Sequence, residues 1–447
     1  MAAFLLTLPL VTPKVRGADE IEYFSYLPSL AFDRDLDFGD EYRHFYARDP
    51  EGLAGFKETF LDRREPATGR HINFGPVGSA VLWAPFYLAA HAGTLLARAL
   101  GASVPADGLA WPYVAAVCYA SALYAFLGLL LVHASLVRFG GWSDAAATLS
   151  VLACWLGTPV LYYMTLAPGF AHANSLFAVS LLVWLWLRAR ARGDAASARD
   201  WVLVGAAGGL CGLIREQDVL FLAIPGLWIA YEAVRARAWR RALGRAALMA
   251  ASALLVLVPQ LLVYRGLTGR FGPSRLVTRK VSYWSPHFLE VLFDPAHGLY
   301  AWTPLLLLAT LGLALALRQR RDVVTALLAV GVLLQVWING ALESWTQAGA
   351  FGSRRFVAAT PLFAWGLAAL VEAARSRLGR VPVAVALVVF AWWNVSLMVQ
   401  FGLRLMDRQR LEWPKVAVNQ FTEVPSRLGR VAVLFFTDRE RLVREGP

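Results

Sequence analysis

The chain is 447 residues long, 58% hydrophobic and only 17% charged, with a mean hydropathy of +0.50. Soluble and disordered proteins are less apolar and more charged than this, so the chain must be solvated largely by lipid. Its 3 cysteines and 36 glycines without a three-residue period exclude a disulfide scaffold and a collagen-like fibre. The net charge of +12 does not indicate nucleic acid, because basic residues in a membrane protein follow its topology.

The apolar runs predict a polytopic all-α membrane protein. A helix needs about 20 apolar residues to cross a hydrocarbon core about 30 Å thick. Residues 1–11 are short for a span, so we expect either a truncated start or a short first helix; a cleaved signal peptide, the rival, lacks the charged residues that normally precede it. With this first stretch, ten longer runs predict a bundle of about eleven transmembrane helices: 111–137, 145–164, 170–187, 201–214, 218–234, 245–264, 299–317, 323–341, 356–374 and 381–403.

Arginine-rich connections fall in every second loop, around residues 188–199, 235–245, 318–321 and 375–380. By the positive-inside rule, these loops lie on the cytoplasmic side of the membrane. We expect that membrane to be the cytoplasmic (inner) membrane. We therefore predict a transmembrane domain over residues 1–403 with a large extracytoplasmic first loop, residues 12–110, and a short extracytoplasmic tail, residues 404–447. Residues 75–98 are apolar enough to span but would break this alternation, and their prolines and glycines favour a helix at the outer interface.

Ionisable residues gather at the predicted outer membrane edge. Asp19 and Glu20 follow the first apolar stretch, where partial loss of water raises the pKa of a carboxyl and favours a general base. We take both as candidate catalytic residues. Farther along the loop, His71 and Asn73 precede a Gly/Pro helix start and predict contacts to a polar head group, although a plain helix start explains them equally well.

Later outer loops add candidate substrate-binding residues. His172 lies at the outer end of a span, where a purely structural hydrogen bond is the alternative. Arg215, followed closely by Glu216 and Asp218, interrupts an apolar tract and offers bidentate donors to a phosphate; an internal ion pair is its alternative.

The outer loop near residue 350 completes the candidate substrate-binding set. Glu343, Arg354 and Arg355 lie among small residues that permit close approach of an anion. Arginines that reach back to the head groups from the following span are the alternative there.

This arrangement resembles the bacterial C-type (GT-C) glycosyltransferases, closest to the branch of protein mannosyltransferases and lipid A aminoarabinose transferases. The resemblance rests on the Asp19–Glu20 pair, the long outer loop with its Pro/Gly helix, the polar turn before the fourth span, and the pattern W-x-x-x-G-x-x-G-x-R that begins at Trp345. It implies transfer of a sugar from a polyprenyl-phosphate donor to a hydroxyl of a lipid, glycan or protein on the extracytoplasmic face.

The resemblance also implies roles for particular residues. It makes Asp19 the base, with Glu20 beside it, and it makes Arg215, Arg354 and Arg355 the candidates for holding the donor phosphate. Many relatives carry a second acid before the fourth span, whereas this chain has His172 in that neighbourhood.

Three alternatives remain open at the level of sequence. A divalent metal held by Asp19 or Glu20 with His71 or His172 is conceivable, but no spaced ligand motif indicates one. A lipid or solute transporter or flippase would place charges near the midplane and show repeated halves, and neither pattern is evident. An oligosaccharide ligase would use similar outer arginines with a longer lipid-linked glycan as donor. The sequence contains no nucleotide-binding loop.

Overall fold

The computed structural model describes residues 1–278, 281–284, 286–347, 349–439 and 441. In this part of the chain the structure is built from helices, and it includes an isolated antiparallel bridge between Arg64 and His71. The predicted all-α class is therefore confirmed.

The α-helices of the described residues, numbered in chain order, are α1 Ala2–Thr7, α2 Ala18–Pro28, α3 Gly39–Arg48, α4 Gly78–Ala99, α5 Trp111–Arg138, α6 Asp144–Leu156, α7 Val160–Thr165, α8 His172–Arg192, α9 Ala198–Ile214, α10 Ala223–Ala236, α11 Trp239–Thr268, α12 Arg275–Thr278, α13 Phe288–Phe293, α14 Leu299–Trp302, α15 Pro304–Arg320, α16 Val323–Ala341, α17 Thr360–Leu378, α18 Arg380–Gly402, α19 Trp413–Phe421 and α20 Glu423–Thr437. Short 3-10 turns are Leu8–Leu10, Gly193–Ala195, Glu216–Leu222 and Arg354–Ala359, and π turns are Ser29–Asp33 and Lys57–Leu61.

The chain forms two compact units. One comprises residues 1–128 and 163–281, and the other comprises residues 129–162 and 282–447. The first loop, with α2 to α4, and the helices α8 to α11 belong to the first unit. The helices α15 to α20 belong to the second unit. The predicted boundary at residue 403, between the transmembrane domain and the tail, does not follow from these two units and stays a prediction. The extracytoplasmic position of the tail also stays a prediction, and its residues 440 and 442–447 lie outside the described part.

Seven helices of the described residues are long and apolar enough to cross a membrane, which confirms a multi-pass membrane protein. Six of them coincide with predicted spans, and the seventh is α4, which we predict to lie at the interface. The remaining predicted spans are shorter or charged: the first helix, 145–164, 170–187, 201–214 and 299–317. The count of eleven spans and the interfacial position of α4 therefore stay predictions.

The predicted span 145–164 is interrupted between α6 and α7. Gly157, Thr158 and Pro159 break the helix, which leaves backbone carbonyls without helical partners inside an apolar region. The buried Asn394 of α18 compensates, because its side-chain amide donates to the carbonyls of Leu156 at 2.8 Å and Thr158 at 2.9 Å. A break at membrane depth is tolerated where neighbouring groups satisfy the freed backbone in this way.

Small residues let the helices of the first unit approach closely. On α9, a Cβ atom added at Gly205 would lie 2.1 Å from the backbone oxygen of Met249 on α11, and one at Gly209 would lie 2.6 Å from that of Ala253. Contacts this short require glycine, as is typical of helix pairs in membranes, where close packing replaces the hydrophobic effect. The sequence GAAGGLCG of α9 therefore sets how near α11 can lie.

We expect Gly205→Ala to destabilise the protein, because the new methyl group would collide with backbone atoms of α11. Overpacking of this kind costs about 1–3 kcal/mol. Gly244→Ala on α11 is the matched control, since a Cβ atom there meets nothing within 4 Å. The midpoint of thermal unfolding in detergent should fall by several degrees for Gly205→Ala and stay or rise for Gly244→Ala. Equal midpoints for the two variants would contradict this account of the α9–α11 contact.

Candidate active site

Glu20 caps the N-terminus of α2. Its Oε2 accepts the backbone N–H groups of Arg16 and Gly17, each at 2.8 Å, which is the side-chain half of a capping box. The side chain is buried, and this burial raises the pKa of Glu20 to about 7. Glu20, predicted as a catalytic residue, is thus engaged in holding the helix start, and the adjacent acid Asp19 is the better candidate for chemistry.

Asp19 and Glu22 lie one helical turn apart on the same side of α2. Asp19 is half-buried, whereas Glu22 is buried. Burial raises the pKa of Glu22 to about 8, and the charge of Asp19 adds to this rise. Glu22 is therefore mostly protonated at neutral pH and adds little negative charge beside Asp19. Glu22 was not predicted from the sequence, although its spacing of three residues from Asp19 is a visible signal.

Glu22 also anchors the turn at residues 73–75. Its carboxyl accepts the backbone N–H of Phe74, and its backbone carbonyl accepts a bond from the Asn73 amide at 3.0 Å. The hydroxyl of Tyr26 donates to the carbonyl of Gly75 at 2.8 Å. Asn73, predicted to bind substrate, thus has its amide nitrogen engaged in this turn, and the turn is fixed against the acid-bearing face of α2.

Glu22→Gln tests the influence of this buried carboxyl on stability. Because folding raises its pKa from 4.5 to about 8, the folded state holds the proton more tightly, and the free energy of unfolding falls as pH rises across that interval. We expect the midpoint of thermal unfolding to fall between pH 5 and pH 8, and to fall by a few degrees less in Glu22→Gln. Glu51→Gln, at an exposed position of the same loop, should follow the parent. Parallel pH profiles for all three proteins would refute the shift.

The segment before α8 covers Glu20. The backbone N–H of Thr12 donates to the carbonyl of Thr165 at 2.7 Å, which joins the two stretches. A Cβ atom added at Gly169 would lie 2.9 Å from Oε1 of Glu20, and the Phe170 ring lies against Gly17. Glycine at position 169 therefore lets this backbone approach the acid. The same segment leads directly into His172, the first residue of α8.

Arg215 and His172 form a buried pair in the same unit. Nη1 of Arg215 lies 2.7 Å from Nδ1 of His172. A guanidinium can only donate, so Nδ1 must accept and the imidazole proton must lie on Nε2. His172 is thus a neutral ring that orients Arg215, stacked against Phe170 with Tyr163 at its edge. The two residues were predicted separately, and the structure brings them together.

A second contact holds the turn that carries Arg215. Ser175, one turn after His172 on α8, donates to the buried carboxylate of Asp218, and the backbone N–H of Asp218 donates to the carbonyl of Arg215 at 2.9 Å. Two residues of α8 therefore bind two residues of the Arg215–Asp218 segment, which restricts where the guanidinium can point.

Contacts between backbones link this pair to the acids of α2. A Cβ atom added at Gly78, the first residue of α4, would lie 2.4 Å from the carbonyl of Leu213, two residues before Arg215. The N–H of Val77 donates to the buried Gln260 of α11 at 2.8 Å. Charges of Glu22 and Glu216 both help to raise the pKa of Tyr26 well above its usual value, after the larger effect of burial. We call Asp19, Glu22, His172 and Arg215, with these connecting segments, the acid–arginine cluster.

His71 makes contacts within the first loop. It is buried, and its Nδ1 contacts both Asp37 and Arg64, so it joins an ionic network at the start of α3. Among the described residues, no group of three or more His, Cys, Asp or Glu side chains is arranged to hold a metal. The pairs considered from the sequence, Asp19 or Glu20 with His71 or His172, are smaller than such a group and stay a prediction.

The other predicted residues lie in the second unit. Glu343 is exposed. Arg355 donates from Nη2 to the hydroxyl of Ser344 at 2.8 Å, and its backbone N–H donates to Gln347 at 3.2 Å. The charge of Arg354 contributes, after burial, to the lowered pKa of His297. These contacts form a compact basic loop before α17, and their part in substrate binding stays a prediction.

The described residues form a polytopic all-α membrane protein. The chain is similar to the crystal structure of ArnT from Cupriavidus metallidurans in the apo state, with a TM-score of 0.53 and 16% identity, and to ArnT bound to undecaprenyl phosphate, with a TM-score of 0.51 and 15% identity. Each match covers 98% of this chain and 76% of the ArnT chain. The resemblance inferred from sequence is thereby confirmed for the fold. No protein-family model and no curated protein matches the chain.

Proposed function

We propose that this protein is a membrane glycosyltransferase that transfers a sugar from a polyprenyl-phosphate donor to a hydroxyl acceptor. The observation that carries the proposal is the acid–arginine cluster, in which a half-buried acid, Asp19, and a buried arginine oriented by His172 belong to the same compact unit. A base for the acceptor and a cation for the leaving phosphate are the minimum that this reaction needs. The likeness to an ArnT structure that holds undecaprenyl phosphate supports a lipid phosphate as the donor.

The cluster suggests how the reaction proceeds. The Asp19 carboxylate removes the proton of the acceptor hydroxyl as its oxygen bonds to the anomeric carbon of the sugar. The bond from that carbon to the phosphate oxygen breaks, and the polyprenyl phosphate leaves with the electron pair. Arg215 stabilises the charge that develops on the leaving oxygen, since a guanidinium matches phosphate with paired donors. His172 keeps the guanidinium aimed by accepting from its other side.

The raised pKa of Glu22 fits this scheme. A second ionised acid one turn from Asp19 would repel the donor phosphate. Because Glu22 is mostly protonated at neutral pH, it adds little of this repulsion. Arg354 and Arg355 remain proposed phosphate contacts, and Glu343 and His71 proposed substrate contacts, on the strength of their sequence positions. The cytoplasmic membrane, with the active site on its extracytoplasmic side, is proposed from the positions of the arginine-rich loops.

Binding of the donor lipid phosphate tests this function without knowledge of the sugar. Undecaprenyl phosphate should bind the purified protein saturably, as followed by native mass spectrometry, and should raise its midpoint of thermal unfolding. Undecaprenol, which has the same isoprenoid chain without the phosphate, is the control and should bind much more weakly. A phosphate-recognising site would be contradicted if the folded protein bound the two lipids equally well, or if it bound neither of them.

A further inference from the structure

The final helix, α20, presents two different faces to its surroundings. Projected at about 100° per residue, its most exposed apolar residues fall in one sector. That sector contains Pro425, Gly429, Ala432, Val433 and Phe436, all of them exposed. The side chains of Val433 and Phe436 are 62% and 61% exposed, which is unusual for large apolar residues in water.

The adjacent exposed sector of α20 is polar. Ser426, Arg430 and Thr437 lie there, and an ion pair between Arg427 and Glu423, at 2.7 Å, borders it. Residues 413–439 contain four basic and two acidic residues, so the segment is positively charged. An apolar stripe beside a basic and hydroxyl stripe is the pattern of a helix that lies in a membrane interface.

The third sector of α20 faces the protein, where Val424 is fully buried. The preceding helix α19 is held on α18 by the stacked rings of Trp413 and Trp393, with centroids 5.4 Å apart, and by Gln420, whose amide donates to the carbonyl of Trp393 at 3.4 Å. Trp393 lies nine residues before the end of α18 at Gly402, or about 13 Å along the helix axis. The α19–α20 segment therefore begins beside a membrane-spanning helix.

The position of α18 identifies what surrounds α20. Only 28% of the most apolar stretch of α18 is buried within the protein, so most of that helix faces lipid. Because α19 is fixed to the second half of α18, the apolar stripe of α20 lies near the same lipid. A covering of acyl chains would remove Val433 and Phe436 from water, and lipid phosphates would complement the charge of Arg430.

We propose that α20 is an interfacial helix whose apolar stripe lies among lipid acyl chains and whose Arg430 side lies among phosphate head groups. The α19–α20 segment would then attach this part of the chain to the bilayer surface. This inference is independent of the proposed function, because it rests only on the exposure, charge and attachment of residues 413–437.

Spin labels on cysteines placed around α20 test this position in proteoliposomes. Gly429→Cys and Phe436→Cys place a label on the apolar stripe, and Ser426→Cys and Thr437→Cys place one at nearby positions on the polar stripe. Cys118, Cys154 and Cys211 are buried, so the parent protein gives the background labelling. Collision rates with oxygen, which concentrates in lipid, are compared with those of a water-soluble nickel complex.

The ratio of oxygen to nickel collision rates should be severalfold higher at positions 429 and 436 than at positions 426 and 437. Equal ratios at the four positions, with good access to the nickel complex, would show that α20 lies in water and would overturn the proposal. Low access to both reagents at 429 and 436, with spin–spin broadening, would show instead that a second copy of the chain covers the stripe and would also overturn it.

Discussion

Asp19→Asn should abolish sugar transfer while leaving the protein folded. Asparagine keeps the shape of the side chain but cannot take a proton from the acceptor, and loss of a general base lowers the rate by about 10²–10⁴ fold. The loss should appear in kcat, with little change in the KM for the lipid donor. Initial rates in proteoliposomes, with the thermal midpoint as the check on folding, measure this effect.

Variants at two other acids of the first loop distinguish the loss of a base from a general disturbance of the loop structure. Asp40→Asn changes an exposed acid of α3 that forms a weak 3.7 Å pair with the exposed Arg43, and it should retain nearly full activity. Glu20→Ala removes the bonds to Arg16 and Gly17 and should lower stability by about 0.5–2 kcal/mol, the usual cost of a lost cap. If Asp19→Asn kept most of its kcat, Asp19 would not be the base.

Arg215→Lys should lower kcat/KM by about 10²–10³ fold, the size of effect seen when one preorganised donor to a developing negative charge is lost. Lysine keeps the charge but not the planar pair of donors, and it cannot reach both His172 and a phosphate in the same way. The affinity for undecaprenyl phosphate should fall in parallel. Rates and binding are measured on the same preparation, so that a folding defect is recognised.

Arg199→Lys is the matched control for this change. Arg199 is exposed near the opposite end of α9, so the same substitution there should alter neither lipid binding nor the rate. A decrease of similar size in both variants would mean that α9 is generally sensitive to this exchange. An Arg215→Lys protein within about twofold of the parent, on the scale where tenfold is 1.4 kcal/mol, would remove Arg215 from the proposed phosphate site.

Much of the fold and part of the site follow from the sequence, because lipid imposes simple rules on helix length and charge. The apolar runs predicted six spans that coincide with long apolar helices of the structure. His172 and Arg215, predicted as separate polar interruptions, contact each other, with Nδ1 and Nη1 2.7 Å apart. The role of Glu20 was missed because its position in ADE also suits a helix cap, and only the bonds to Arg16 and Gly17 distinguish the two uses.

Long-range partners account for what the sequence could not predict. The interruption after α6 is stable only because Asn394, more than 230 residues away, bonds the freed carbonyls. Likewise, the burial of Glu22 could not be predicted, because the turn at residues 73–75 that packs on it is distant in sequence. Spacing along one helix does not reveal such partners, since they come from other elements of the fold.

Turnover of a lipid-linked sugar tests the central claim most directly. The protein is reconstituted in proteoliposomes with a panel of polyprenyl-phosphate sugars and acceptors from the cell envelope, and lipids are followed by mass spectrometry. We predict that one donor is consumed and that free polyprenyl phosphate appears in equal amount, with the sugar on a new hydroxyl. Movement of intact donor lipid across the bilayer by folded protein, with no free polyprenyl phosphate formed, would contradict the glycosyltransferase and indicate a flippase.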